Sequence, residues 1–133
     1  MEAKPYVHRV YLDDTDAQGI VYHANYLKFF ERARSDLLAA KGVSIDEQGR
    51  GAHRFVVHEV HMKYLRSALL GDDIQVMTRY EKASEFRLTF WQEVRRGETK
   101  LVEAETQVVC IDPDGNLTPL PDRLNLDDQS SNS

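Results

Sequence analysis

Apolar and polar residues alternate with a period of two through most of the second half of this chain, and recur every three or four residues through one stretch of the first half. The first pattern marks strands, whose successive side chains face opposite sides. The second marks a helix, which returns to one face at that spacing. Asp73 to Lys82 carries Ile74, Val76, Thr78 and Tyr80 on one face. Glu85 to Arg95 sets Phe86, Leu88, Phe90 and Gln92 against Arg87, Thr89, Trp91 and Glu93. Lys100 to Asp112 sets Val102, Ala104, Thr106, Val108 and Cys110 against Glu103, Glu105 and Gln107. Phe55 to Leu65 is a further strand. Tyr6 to Leu12 reads as another, with Val7, Arg9 and Tyr11 opposite His8, Val10 and Leu12. From Asn25 the stripe is helical: Tyr26, Phe30, Ala33 and Leu37, widened by Phe29, Leu38 and Ala40. Lys28, Glu31, Arg32, Ser35 and Asp36 cover the other side, and Lys41 and Gly42 supply the last turn and C-cap.

The connections Ala83-Ser84 and Arg96-Gly97-Glu98 are short enough for antiparallel hairpins, and Pro113-Asp114-Gly115-Asn116 is a turn. Residues 43 to 53 read as a loop. The order of one strand, a long helix and four long antiparallel strands is α+β. A curved antiparallel sheet wrapped around the single helix covers its apolar stripe, and the sheet edges left over can pair with a second subunit. With 133 residues the chain fits one domain, residues 1–126, followed by a polar tail at 127–133 expected to be disordered.

A net charge of -5 without any basic block argues against nucleic acid as a partner. One cysteine, Cys110, excludes an internal disulfide and favours a reducing compartment. The beginning M-E-A-K-P-Y-V-H-R lacks the apolar core of a secretory signal, and no apolar run approaches the ~20 residues of a membrane helix. The expectation is a cytoplasmic protein that does not insert in membranes.

Residues 13 to 26, D-D-T-D-A-Q-G-I-V-Y-H-A-N-Y, hold the densest chemistry. Asp13, Asp14 and Asp16 crowd a loop with Gly19, between a strand and a helix N-terminus whose unpaired N–H groups stabilise negative charge. A carboxylate beside such donors is the minimum equipment for attack on a carbonyl carbon. An EF-hand reading fails, because Gln18 and Asn25 stand where that loop needs an acid or Asn and a bidentate Glu. From the pattern alone, the three aspartates are equally well read as solvated and capping residues. His23 taken singly is more often structural. His53, His58 and His61 are read as structural too, since His58 and His61 differ in strand parity. Cys110, on the face of Val108, is read as core.

The run D-T-D-A-Q-G-I-V-Y-H-A-N-Y-L-K-F-F-E-R-A-R resembles the signature of the 4-hydroxybenzoyl-CoA thioesterase family. Within it, the resemblance is greatest to the Tol-Pal-associated acyl-CoA thioesterases of the YbgC type, to which V-E-A-E-T-Q-V-V-C-I-D-P is also similar. The resemblance implies a hotdog fold assembled as a homodimer or homotetramer, with the active site at the dimer interface. It implies acyl-CoA, or an acyl carrier protein thioester, as substrate. It calls for no metal and no cofactor, coenzyme A being part of the substrate. The chemical Asp of the D-x-D-x-x-G loop maps to Asp16, the helix N-terminal position to His23, and oxyanion or positioning roles to Gly19 and Tyr22. Asp16 then acts as nucleophile or as general base on water. A tyrosine frequent in that subgroup is replaced by Leu12, and Tyr11 is expected to face away from that position. Where the benzoyl type carries a basic cluster for CoA phosphates, E-K-A-S-E-F offers only Lys82, with Arg66 as a second candidate. Glu31 is a further substrate-binding candidate, set against an i,i+3 pairing with Arg34. Tyr64, Phe90 and Trp91 are read as core in preference to pocket lining. The other readings are a hotdog dehydratase and a non-catalytic acyl-thioester or protein-binding module.

Overall fold

The computed structural model describes residues 5–44 and 53–124. The tail at 127–133 and residues 45–52 of the expected loop lie outside the described residues. The elements are β1 (Tyr6–Arg9), α1 (Asn25–Ala40), β2 (Arg54–Tyr64), β3 (Asp73–Lys82), β4 (Arg87–Arg96) and β5 (Thr99–Ile111), with 3-10 turns at Leu12–Asp14 and Asp122–Leu124. All five strands form one antiparallel sheet in the order β1-β3-β4-β5-β2. The β3–β4 and β4–β5 hairpins are those the short connections predict. β2 and β3 are not neighbours, so residues 65–72 cross the end of the sheet on their way from β2 to β3.

Helix α1 lays Tyr26, Phe29, Phe30, Ala33, Leu37 and Leu38 on the sheet. Ile74, Val76, Val94, Val102 and Ala104 meet its first half, and Tyr80, Leu88, Phe90 and Val108 its second. Gln92 of β4 stands between these two apolar groups at 3% exposure. Its amide nitrogen donates to the Phe30 carbonyl and to Thr78 Oγ1, each at 3.0 Å, and its oxygen accepts from Arg34 at 3.1 Å. A buried amide so nearly saturated fixes how α1 sits along the sheet, because sliding the helix would strand several polar groups at once.

Three expectations need correction. The first strand ends at Arg9 and does not reach Leu12. The Asp14 carboxylate captures the Tyr11 N–H at 2.9 Å, and this local bond turns the chain into a 3-10 turn. Trp91 is not core: it lies on the sheet face away from α1, with the Arg79 guanidinium 4.4 Å from its ring centre. Tyr64 is not core either, being 49% exposed, whereas Phe90 is fully buried.

Strand β2 contains no buried residue over its whole length, although it pairs with β5 along one edge. Its other edge is open among the described residues.

Candidate functional site

The loop ahead of α1 is a small hairpin. Thr15 and Val21 form a bridge, the Asp16 N–H donates to the Ile20 carbonyl at 2.9 Å, and the Tyr22 N–H donates to the Asp14 carbonyl at 3.0 Å. Gly19 makes the turn at φ 80°, a left-handed conformation that costs a residue with a Cβ. The crossing segment holds the hairpin from the other side. Ile20 bridges Leu69, Val21 N–H donates to Ala68 O at 2.9 Å, and Leu70 N–H donates to Gly19 O at 3.1 Å. Arg96 ties that segment down through Asp72 at 2.7 Å.

The three aspartates divide into different roles. Asp14 is structural. Its carboxylate binds His8 Nε2 at 2.8 Å as well as the Tyr11 N–H, and its main-chain oxygen also accepts Asn25 Nδ2 at 2.9 Å. Burial alone would raise its pKa, but the Tyr11 N–H and His8 outweigh burial and hold the carboxyl below the ordinary aspartate value. Sequence reasoning missed this pair; the signal was His8 on the strand leading into the acidic loop. Asp16 is exposed, and only its Oδ1 is engaged, accepting the Gln18 N–H at 2.8 Å. Among the described residues its second oxygen has no partner. Asp13 is exposed.

No acid caps α1: its first turn holds none, and the N-cap residue is Ala24, with no side-chain cap bond. The acids expected beside the helix start are instead on the hairpin. The first main-chain bonds run from Asn25 N–H to Tyr22 O at 2.8 Å, Tyr26 N–H to His23 O at 3.4 Å and Leu27 N–H to Ala24 O at 3.2 Å. The N–H groups of His23 and Ala24 donate to nothing among the described residues, so two donors stand free at the positive end of a helix. The His23 imidazole lies between Tyr22 and Tyr64, at centroid distances of 4.7 and 6.2 Å.

Asp16, Gly19, Tyr22 and His23 are thus brought together on one hairpin. Arg66 is exposed on the crossing segment that grips it, its N–H donating to Leu101 O at 3.0 Å. Lys82 lies at the far end of β3, about 30 Å along the strand from the hairpin. One chain therefore does not bring Lys82 to the site. Glu31 is exposed, and its expected pairing with Arg34 is not the one found: Arg34 turns inward to Gln92. Burial lowers the Arg34 pKa from its ordinary value, with Glu31 opposing the shift through space. Leu12 is 74% exposed, and its side chain offers no hydrogen-bonding group. His61 bonds Glu59 at 3.0 Å on the open strand β2. Cys110 is buried, and burial pushes its thiol pKa up to about 11, the opposite of an activated nucleophile.

A cavity of about 900 Å³ lies on the outer face of the sheet, lined by Lys63, Arg79, Trp91, Glu93, Glu103 and Glu105 among others. It includes no hairpin residue, and its charges are of both signs. Among the described residues, no helix is long and apolar enough to cross a membrane.

Known proteins match this chain over most of its length. It is 41% identical over 108 residues to the acyl-CoA thioester hydrolase YbgC of Escherichia coli, covering 79% of each chain. A solved structure of a probable thioesterase from Bartonella henselae superposes with a TM-score of 0.81 at 33% identity, covering 89% of this chain and 98% of that one. A 1,4-dihydroxy-2-naphthoyl-CoA thioesterase from Synechocystis superposes with a TM-score of 0.83 at 27% identity, covering 91% of each. One helix on a five-stranded antiparallel sheet is the hotdog fold of these thioesterase structures. The model of the Thioesterase-like superfamily spans residues 10–126, from the end of β1 through the hairpin and all the remaining strands, and the chain belongs to that superfamily.

Proposed function

We propose that the chain hydrolyses acyl-CoA thioesters to a free acid and coenzyme A, with Asp16 as nucleophile or general base and the helix N-terminal N–H groups as oxyanion donors. The observation that carries this reading is the combination, on the braced hairpin and the helix start it leads into, of an exposed carboxylate with a free oxygen and two N–H groups, of His23 and Ala24, unengaged among the described residues. The substrate class is that named for the Escherichia coli and Haemophilus influenzae YbgC relatives.

The carbonyl oxygen of the thioester sits at the His23 and Ala24 N–H groups, which stabilise the negative charge that develops on it. Removing one such donor in other enzymes costs about 100- to 1,000-fold in rate. Asp16 attacks the carbonyl carbon to form a mixed anhydride that water then opens, or it takes a proton from an attacking water. Either way the sulfur leaves as a thiolate, which needs no strong acid.

The site is completed by a second copy of the chain. β2 has no buried residue, its outer edge is open among the described residues, and Val56, Val57, Tyr64 and Leu65 add apolar surface that one chain leaves in water. Pairing two such edges gives a continuous sheet and a wall for the acyl group beside the hairpin. Lys82, remote within its own chain, contacts CoA phosphates only if such an assembly brings it there.

The test is thiol release from short, long and aromatic acyl-CoAs, with wild type beside Asp16→Asn. Turnover that falls at least about 100-fold in the variant supports the assignment. Equal rates would remove Asp16 from the chemistry. Enoyl product with the thiol retained would make the protein a dehydratase, and tight acyl-CoA binding without product would make it a binding module. Sedimentation of wild type beside Val57→Lys tests the assembly: a wild-type monomer would refute it.

A further inference from the structure

We infer that Tyr64 is a positioning residue for the thioester chemistry, its hydroxyl orienting the Ala24 N–H as an oxyanion donor. This deepens the function proposed above and rests on it. The Tyr64 hydroxyl donates to the His23 carbonyl at 3.3 Å. That carbonyl and the Ala24 N–H belong to one planar trans peptide, so they point in opposite directions and turn together. Holding the oxygen holds the N–H.

The helix alone holds this peptide weakly. The only main-chain donor to the His23 carbonyl among the described residues is Tyr26 N–H, at 3.4 Å, longer than the usual range. The preceding peptide is already fixed, because Asn25 N–H reaches Tyr22 O at 2.8 Å and thereby sets the His23 N–H. The two free donors are therefore held differently: the His23 N–H through a short helix bond, and the Ala24 N–H through two long ones that share the His23 carbonyl, from Tyr26 N–H at 3.4 Å and from the Tyr64 phenol at 3.3 Å.

The phenol is itself braced. Its ring meets the His23 imidazole edge-on at 6.2 Å and the Tyr26 ring at 5.7 Å. Tyr26 is fixed in turn, its hydroxyl accepting the Ala68 N–H at 3.0 Å, and Ala68 O accepts the Val21 N–H of the hairpin. Strand β2, the crossing segment, the hairpin and the start of α1 thus close on one another around Tyr64. Partial burial raises the Tyr64 pKa above the ordinary tyrosine value, so the group remains a donor throughout the neutral range.

The experiment compares Tyr64→Phe and Tyr64→Leu with wild type in steady-state and single-turnover thiol release. Asp16→Asn is assayed in parallel, and folding is checked by thermal melting. Tyr64→Phe keeps the ring and removes only the hydroxyl. The expected result is a kcat lower by about 10- to 100-fold with KM within about twofold of wild type, smaller than outright loss of a donor. Tyr64→Leu should lose no less. Tyr64→Phe at the wild-type kcat, with only Tyr64→Leu impaired, overturns the proposal in favour of ring packing. A loss in Tyr64→Phe that appears wholly in KM, or that tracks the folded fraction, overturns it as well. If wild type releases no thiol from any acyl-CoA, the function proposed above fails first, and Tyr64 falls with it; Asp16→Asn at the wild-type rate removes Asp16 alone.

Discussion

Replacing Gln92 by Met tests whether one buried amide locks the helix to the sheet. The two side chains are close in volume, so packing changes little. Hydrogen bonding changes a good deal. The half-buried Arg34 guanidinium loses its acceptor, and Thr78 Oγ1 and the Phe30 carbonyl each lose a donor. A bond to a charged group contributes about 1.5–3 kcal/mol and a neutral one about 0.5–1.5 kcal/mol. Methionine also leaves no amide to desolvate, which offsets part of the loss, so the expected destabilisation is about 2–4 kcal/mol. An unfolding entropy of about 2.1 cal/mol/K per residue over 133 residues turns about 3 kcal/mol into a melting shift of about 10 °C. The assay is urea and thermal unfolding at fixed protein concentration, for Gln92→Met, Arg34→Met and the double variant. The double variant should be less destabilised than the sum of the singles by at least about 1 kcal/mol, because removing the amide no longer strands a cation. A Gln92→Met variant within about 0.5 kcal/mol of wild type, or additivity of the two changes, would refute the reasoning.

Two further outcomes follow from the hairpin. The folded pKa of Asp14 is depressed, so its pairing with His8 and the Tyr11 N–H contributes stability above the unfolded aspartate value, lost as pH falls through the lower folded value. Asp14→Asn should therefore be less stable than wild type by about 1–2 kcal/mol near pH 6, and the difference should shrink as pH falls through the depressed folded value, as urea midpoints across the acid range will show. Gly19→Ala and Gly115→Ala both force a side chain into left-handed backbone with open space around it. Each should cost about 1–2 kcal/mol in unfolding experiments, while only Gly19→Ala should also lower thiol release.

Strand and helix periods carried most of the fold. The inward faces of β3, β4 and β5 follow from their alternation, because each has one covered side and the period of two cannot be satisfied any other way. The first strand was misread because alternation continues through Val10 and Leu12 while a local carboxylate bond ends the ladder. Trp91 defeated composition-based reasoning for a related cause: its parity already placed it with Arg87 and Glu93, outward, but its size suggested core. The candidate site was legible as a motif and illegible as a division of labour. A string with three aspartates does not say that one binds a histidine six positions earlier. Nor does it say that the phenol against His23 arrives from a strand forty-one positions later.

The exposure of β2 and the openness of the site have one cause under the proposed assembly. The hairpin presents Asp16 to solvent, and the cavity of about 900 Å³ in a single chain opens on the wrong face of the sheet to receive an acyl group at that carboxylate. The apolar surface needed to enclose such a group is present, but it stands unpaired on and after β2, at Val57, Tyr64, Leu65 and Leu69. Tyr64 belongs to both sets: its hydroxyl reaches the start of α1 while its ring stands at the end of the open strand. Under the proposed assembly and chemistry, a residue so placed ties pairing of the strand to alignment of the proposed oxyanion donors. Dissociation at low protein concentration should then lower kcat per chain, beyond any loss of substrate affinity.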